Sequence, residues 1–213
     1  MNKQSIIFDL DGTLTDSGEG ITKSIKPVLD HYGIPCENLD DLRFCVGPPL
    51  RGSFLKLGVP EDCIEEAIAI YRSRYTTIGK FENTPYPGIS QLLDTLIGKG
   101  HRLFVATSKP ETMAVEILDK FDLSRYFEII CGATMDTSRD SKSAVIAYLL
   151  DKIGTKEDAV MIGDTSFDVI GAAEHQIPTI GVSWGYGNVE EMLKSGAVAV
   201  AHSMEELLFL LER

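Results

Sequence analysis

The chain is 213 residues long, 44% hydrophobic and 24% charged, with a formal net charge of -12. That length suffices for one well-buried core and a smaller module, and the acidic balance argues against broad electrostatic capture of nucleic acid or of an anionic membrane surface. No apolar run approaches the ~20 residues a bilayer-spanning helix needs, and the apolar stretch near the N-terminus, interrupted by Asp9, is too short to read as a secretory signal.

In chain order, residues 5–8 read as a strand that ends abruptly in Asp9-Leu10-Asp11-Gly12-Thr13. Side chains alternate along a strand, so Asp9 and Asp11 start from one side of the chain, and Gly12 permits a bend that a Cβ would resist. Two carboxylates that close repel unless a cation or proton lies between them, which points to a divalent metal and a reactive aspartate. The next stretch is helical in pattern, with amphipathic segments at 20–32 (apart from Pro27) and 61–75, punctuated by Pro48-Pro49 and by Pro85-Tyr86-Pro87-Gly88. From there strands at 102–106, 127–130, 159–162 and 178–182 alternate with helices at 89–97, 111–121, 142–152 and 167–174. This rhythm predicts an α/β fold, a doubly wound, Rossmann-like parallel sheet, with a helical insertion that leaves the sheet near Asp16 and returns near Thr84. Segments 1–15 and 84–213 are then the core, and 16–83 a small helical module.

Four features fall at the ends of predicted strands: the Asp9–Thr13 turn, Thr107-Ser108-Lys109, Lys142 at a helix start, and Gly163-Asp164-Thr165-Ser166-Phe167-Asp168. In a parallel sheet those ends share one edge, where ligands bind. Thr107 and Ser108 before a helix suit an anion, and Lys142 adds a point charge suited to phosphate. Asp9, Asp164 and Asp168 supply the hard oxygens that magnesium prefers. A carboxylate can attack phosphorus to give an aspartyl-phosphate, and Asp11 is placed to exchange the proton of the leaving oxygen.

These segments resemble the motifs of the haloacid dehalogenase-like superfamily of phosphatases: DxDGT as Asp9 to Thr13, a Ser or Thr ending the next core strand as Thr107, a Lys as Lys142, and GDxxxD as Gly163 to Asp168. The resemblance implies Asp9 as nucleophile and Asp11 as general acid/base. It implies that Thr107, the Ser108 amide and Lys142 hold the phosphoryl group. Mg2+ would lie on Asp9, the Asp11 carbonyl and Asp164, supported by Asp168, and the insertion would be a helical cap. Gly12, Thr13, Ser108 and Lys109 are assigned to substrate contact, and Arg51, beside the Gly-Pro-Pro turn of the cap, to a second anionic group of the substrate.

Within the superfamily, Gly47-Pro48-Pro49-Leu50, Thr107-Ser108-Lys109-Pro110 and Gly181-Val182-Ser183-Trp184-Gly185-Tyr186-Gly187 are similar to a phosphoglycolate phosphatase-like branch, whereas Gly132 to Arg139 looks like a 5'-nucleotidase-like offshoot. The expected substrate is a small phosphorylated metabolite, taken by a monomer or homodimer. A dehalogenase has no use for Asp11 or Asp164. A phosphonate-cleaving enzyme would need a Schiff-base lysine such as Lys23 or Lys26. A phosphomutase would return the phosphoryl group to a sugar, and a phospho-receiver module would be shorter and hold its phosphate. Cys36, Cys45, Cys63 and Cys131 form no CxxC pair and read as reduced thiols of a cytoplasmic protein. The four histidines show no ligand spacing, and the Trp184 loop reads as structural.

Overall fold

All four residues of β1 (Ser5–Phe8) are buried, as a strand covered on both faces must be. The computed structural model describes residues 5–212. Its elements follow in chain order: β2 (Thr15–Asp16), α1 (Gly18–His31), α2 (Leu50–Leu57), α3 (Ile64–Tyr75), β3 (Thr84–Pro85), α4 (Ile89–Gly98), β4 (Arg102–Pro110), α5 (Glu111–Lys120), β5 (Ile129–Ala133), α6 (Lys142–Ile153), β6 (Ala159–Gly163), α7 (Ser166–Ala173), β7 (Thr179–Val182), α8 (Val189–Lys194), β8 (Ala199–Ala201) and α9 (Met204–Leu211). Residues 1–4 and 213, the outermost ends of the expected core and the start of the short N-terminal apolar stretch, lie outside the described residues.

The sheet has six parallel strands in the order β5-β4-β1-β6-β7-β8. From β1 the chain first builds outward on one side and then returns to build on the other, so β1 stands at the topological switch point. The alternation of β1 divides the core. Ile6 and Phe8 join the apolar cluster of α4, α5 and α9, while Ile7 joins Phe104, Met161 and the inner faces of α6 and α7. A third cluster belongs to the insertion, with Ile21, Ile25 and Val28 of α1 packed on Phe54 of α2 and on Ile64, Ala67 and Tyr71 of α3; among the described residues, Met113 of α5 is its only buried member from outside the insertion. The insertion joins the sheet through an antiparallel ribbon in which Thr15 pairs with Pro85 and Asp16 with Thr84.

The structure differs from the sequence reading in its shorter pieces. The expected helix 61–75 opens with a 3-10 turn, Glu61–Cys63, before α3. The strand expected at 127–130 starts at Ile129 and runs to Ala133, because β4 continues past Ala106 and offers it partners as far as Pro110. Elements α2, α8, α9, β8 and the β2–β3 ribbon have no counterpart among the sequence-based elements. All four cysteines are free, and burial pushes the thiols of Cys45 and Cys131 up to about 11. Among the described residues no helix is long and apolar enough to cross a membrane.

Phe8 is fully buried and meets Phe127 edge to face, with ring centroids 6.2 Å apart. Truncation by Phe8→Ala leaves a cavity at the centre of the sheet and is expected to cost about 3–5 kcal/mol, read as a lower urea midpoint at unchanged slope.

Candidate active site

The strand ends deliver the acidic groups. Asp9 continues β1, its N–H donating to the Ile162 carbonyl (2.9 Å). The chain then turns, with Gly12 at φ 84, a left-handed conformation suited to glycine. A Cβ on Gly12 would also overlap the Asp164 carboxylate. At the end of β6, Gly163 is packed so closely against Asp168 that it too has no room for a side chain. Asp168 reaches back over the first turn of α7, its Oδ2 accepting from the Thr165 N–H (3.0 Å) and hydroxyl (2.8 Å). This arrangement fixes the start of the helix. Lys142 is the first residue of α6, which Ser141 caps by accepting from the Ala144 N–H (3.1 Å).

Lys142 binds these pieces together. Its Nζ lies 2.8 Å from Asp9 Oδ1 and 2.8 Å from Asp168 Oδ1, and it donates to the Ala106 carbonyl of β4 at 3.0 Å. Two ion pairs and one hydrogen bond thus converge on a single buried ammonium. Asp164, wholly buried, accepts from the Thr13 hydroxyl at Oδ1 (3.3 Å) and from the Tyr186 N–H at Oδ2 (2.8 Å). Asp11 Oδ2 pairs with Lys109 at 2.8 Å, while its Oδ1 is buried with no hydrogen-bond partner.

Asp9, Asp164 and Asp168 each bring one carboxylate oxygen within 4.8 Å of the others. Three buried carboxylates against one lysine leave an excess of negative charge. Burial pushes the Asp9 carboxyl up to about 6, opposed by Lys142 and reinforced by Asp168 and Asp11. Burial, then the charges of Asp168 and Asp9, raises Asp164 well above the ordinary carboxylate range. For Lys142, burial opposes the charge, but Asp168 and Asp9 outweigh it and hold the ammonium above its ordinary value. An all-oxygen set with uncompensated charge fits a hard divalent cation such as Mg2+.

Of the other residues singled out in the sequence, Thr107 is buried at the end of β4, where its hydroxyl accepts from the Lys109 N–H (3.2 Å), and Ser108 is half-buried beside it. Gly12 and Thr13 both lie against Asp164. Arg51 is half-exposed on α2, and its ion pairs are with Glu61 (3.6 Å) and Glu65 (3.3 Å), inside the insertion.

Two contributors to the site are not assigned to it from the sequence, one of them the Trp184 loop, which reads there as structural. The loop after β7 folds over the acidic cluster, with Gly185 and Gly187 packed so tightly on Asp164 that neither admits a Cβ. The same loop sends Trp184 Nε1 to the Thr13 carbonyl (3.1 Å) and the Tyr186 hydroxyl to Asp16 in the ribbon. The paired glycines after strand 178–182 were its visible signal. The second is Tyr75, at the end of α3, which meets Lys109 from the insertion side; nothing local in the sequence announces it.

The model of the haloacid dehalogenase-like hydrolase family matches residues 6–182. Over 201 residues the chain is 44% identical to the tyrosine-protein kinase PtkA of Mycobacterium tuberculosis, covering 94% of this chain and 69% of that protein. It is 42% identical to a 5'-nucleotidase of Pseudomonas aeruginosa (88% and 86% covered) and 32% identical to a phosphoglycolate phosphatase of Agrobacterium fabrum (86% and 82%). The solved structure of a predicted phosphatase from Clostridium acetobutylicum superposes with a TM-score of 0.95 at 42% identity, over 100% of both chains.

Lys142→Met leaves Asp9 and Asp168 buried without their shared cation. Breaking a buried ion pair from one side costs about 3–5 kcal/mol. That loss is expected in urea unfolding with a chelator present, and a smaller one with excess Mg2+.

Proposed function

The chain belongs to the haloacid dehalogenase-like hydrolase family, and we propose that it is a Mg2+-dependent phosphatase that passes the phosphoryl group of a small phosphomonoester first to Asp9 and then to water. Hydrolysis of phosphoric monoesters is the activity in the names of its phosphatase relatives. One observation carries the finer reading: Lys142 holds Asp9 and Asp168 together at 2.8 Å each, with the Asp164 carboxylate within reach, in a buried cluster at the strand ends.

Asp9 attacks phosphorus in line with the ester oxygen, the P–O bond breaks, and Asp11 gives its proton to the departing oxygen. Water then attacks the phosphorus of the aspartyl-phosphate and gives a proton to Asp11. Inorganic phosphate leaves and Asp9 is restored. Thr107, the Ser108 amide and Lys142 hold the phosphoryl oxygens, and this offset of charge is the main help a protein gives to such a transfer. Asp9, the Asp11 carbonyl and Asp164 would hold Mg2+, which when bound neutralises charge on the cluster and on the phosphoryl group. Both oxygens of Asp168 are engaged, by Lys142 and by Thr165, so its part is to orient Lys142, and it would support the metal site through that position. The segment 16–83 acts as a cap that closes over the core of 1–15 and 84–213 and excludes water.

The substrate of this reading is a small phosphorylated metabolite of the phosphoglycolate type. A nucleoside monophosphate is the second reading, favoured by the 42% identity with the Pseudomonas aeruginosa 5'-nucleotidase.

Hydrolysis of p-nitrophenyl phosphate is expected to need added Mg2+, to stop with a chelator and to be abolished by Asp9→Asn; full activity in that variant would overturn the reading. Across a panel of phosphorylated metabolites, phosphoglycolate is expected to give the highest kcat/KM. Highest turnover of nucleoside monophosphates would install the second reading instead. Long-lived phosphorylation of the chain from ATP, without release of phosphate, would replace hydrolysis with a kinase or receiver role.

A further inference from the structure

Lys109 has one partner in the core and another in the insertion. Its Nζ lies 2.8 Å from Asp11 Oδ2, it donates to the Tyr75 hydroxyl, and it sits 4.7 Å from the centroid of the Tyr75 ring. Lys109, Tyr75 and Asp11 are all more than nine-tenths buried. The far side of Tyr75 is stacked on Tyr71, with centroids 5.0 Å apart and planes at 16°, and Tyr71 meets Phe54 edge to face. Tyr75 thus meets Lys109 at its hydroxyl edge while Tyr71 covers a face of the ring. What it offers is a fixed hydroxyl, which burial, then the charge of Asp11, keeps neutral by raising it well above the ordinary tyrosine range.

The other side of the arrangement is the asymmetry of Asp11. Lys109 occupies Oδ2, whereas Oδ1 is buried and unpartnered. A proton carried by this carboxyl belongs on the oxygen that does not already accept from an ammonium. We propose that Lys109, anchored by Tyr75, is a positioning residue for proton transfer: it turns Asp11 so that Oδ1 alone faces the reacting oxygen, and it makes that orientation depend on docking of the insertion. This rests on the reading of Asp11 as the group that protonates the leaving oxygen. In that step the proton leaves Oδ1 for the ester oxygen as the P–O bond breaks, and Lys109 takes no part in the transfer itself.

The test is leaving-group dependence. Substituted phenyl phosphates of graded leaving-group basicity differ little in size, so recognition stays near constant while the need for protonation rises. With the full chain, Mg2+ and a fixed pH, log kcat/KM is plotted against leaving-group pKa for wild type, Lys109→Met, Lys109→Arg, Tyr75→Phe and Asp11→Asn, after melting temperatures have been recorded. Positioned proton transfer contributes about 10²–10⁴-fold. Lys109→Met is therefore expected to lose roughly tenfold or more on phenyl phosphate beyond its loss on p-nitrophenyl phosphate, which steepens the slope. Tyr75→Phe, which keeps the ring and removes the hydroxyl, should steepen it less, and Lys109→Arg should recover part of the loss. A parallel drop across the series means a structural role, and a rise in KM at unchanged slope means that Lys109 binds substrate; either overturns the inference. Should Lys109→Met fail to fold, the Tyr75→Phe slope decides. Asp11→Asn separates the two levels. If it is inactive or steepened, the role of Asp11 stands and the Lys109 and Tyr75 variants judge the inference alone; if its slope is unchanged, the reading of Asp11 itself has failed.

Discussion

The ammonium of Lys142, shared at 2.8 Å between Asp9 and Asp168, is the contact on which the rest of the site depends. Carboxylates are costly to bury without partners, and here three stand within reach of one another in a chain already charged to -12. The compensation has to be local. It comes from one lysine at the start of α6, held in place by donation to the Ala106 carbonyl, and from donors aimed at Asp164 by Thr13 and Tyr186. No single element supplies more than a fraction of this. The parallel sheet does so collectively, by ending β1, β4 and β6 side by side.

Close packing of backbone makes the arrangement rigid. Gly12, Gly185 and Gly187 surround Asp164 at distances that leave no space for a Cβ, and Gly163 does the same for Asp168. The loop after β7 carries this rigidity outward. Tyr186 donates its N–H to Asp164 and its hydroxyl to Asp16, and that hydroxyl also accepts from the Gly18 N–H at 2.7 Å. One side chain thereby ties the acidic cluster to the first residue of α1, where the insertion begins.

Long periodic elements and strand-end chemistry were legible in the sequence. The β1, β4, β6 and β7 runs are continuous apolar stretches bounded by turn residues, and a parallel sheet gathers whatever follows them, so the convergence of Asp9, Lys142, Asp164 and Asp168 could be anticipated from order alone. The β2–β3 ribbon and β8, Ala199–Ala201, are two and three residues long, too short to show a period. Helix α2 follows Pro48-Pro49, a pair that reads as punctuation although Pro49 serves as its N-cap. The meeting of Tyr75 with Lys109 spans 34 residues and two hydrophobic clusters, and no local pattern encodes a contact made only when two modules pack.

That packing has a particular balance. The insertion has its own buried cluster, to which, among the described residues, the core contributes Met113 as the one buried residue. The ribbon that joins the two has two residues per strand. Among the described residues, the polar contacts across the remaining boundary include the Gly18 N–H with the Tyr186 hydroxyl at 2.7 Å, Lys109 with Tyr75, Lys80 with Glu116, and Lys120 Nζ with the Phe81 carbonyl at 2.9 Å. The last two are near the surface, where such pairs contribute about 0–1 kcal/mol. Separating the modules therefore disturbs far less apolar packing than unfolding either one. The contact with most to lose is the buried one, because opening would leave Lys109 with Asp11 but without Tyr75. On the proposed reading, a boundary built this way would open to exchange substrate and product while both cores stay intact, and the Lys109–Tyr75 contact it would break is the one that reaches Asp11 of the first acidic motif.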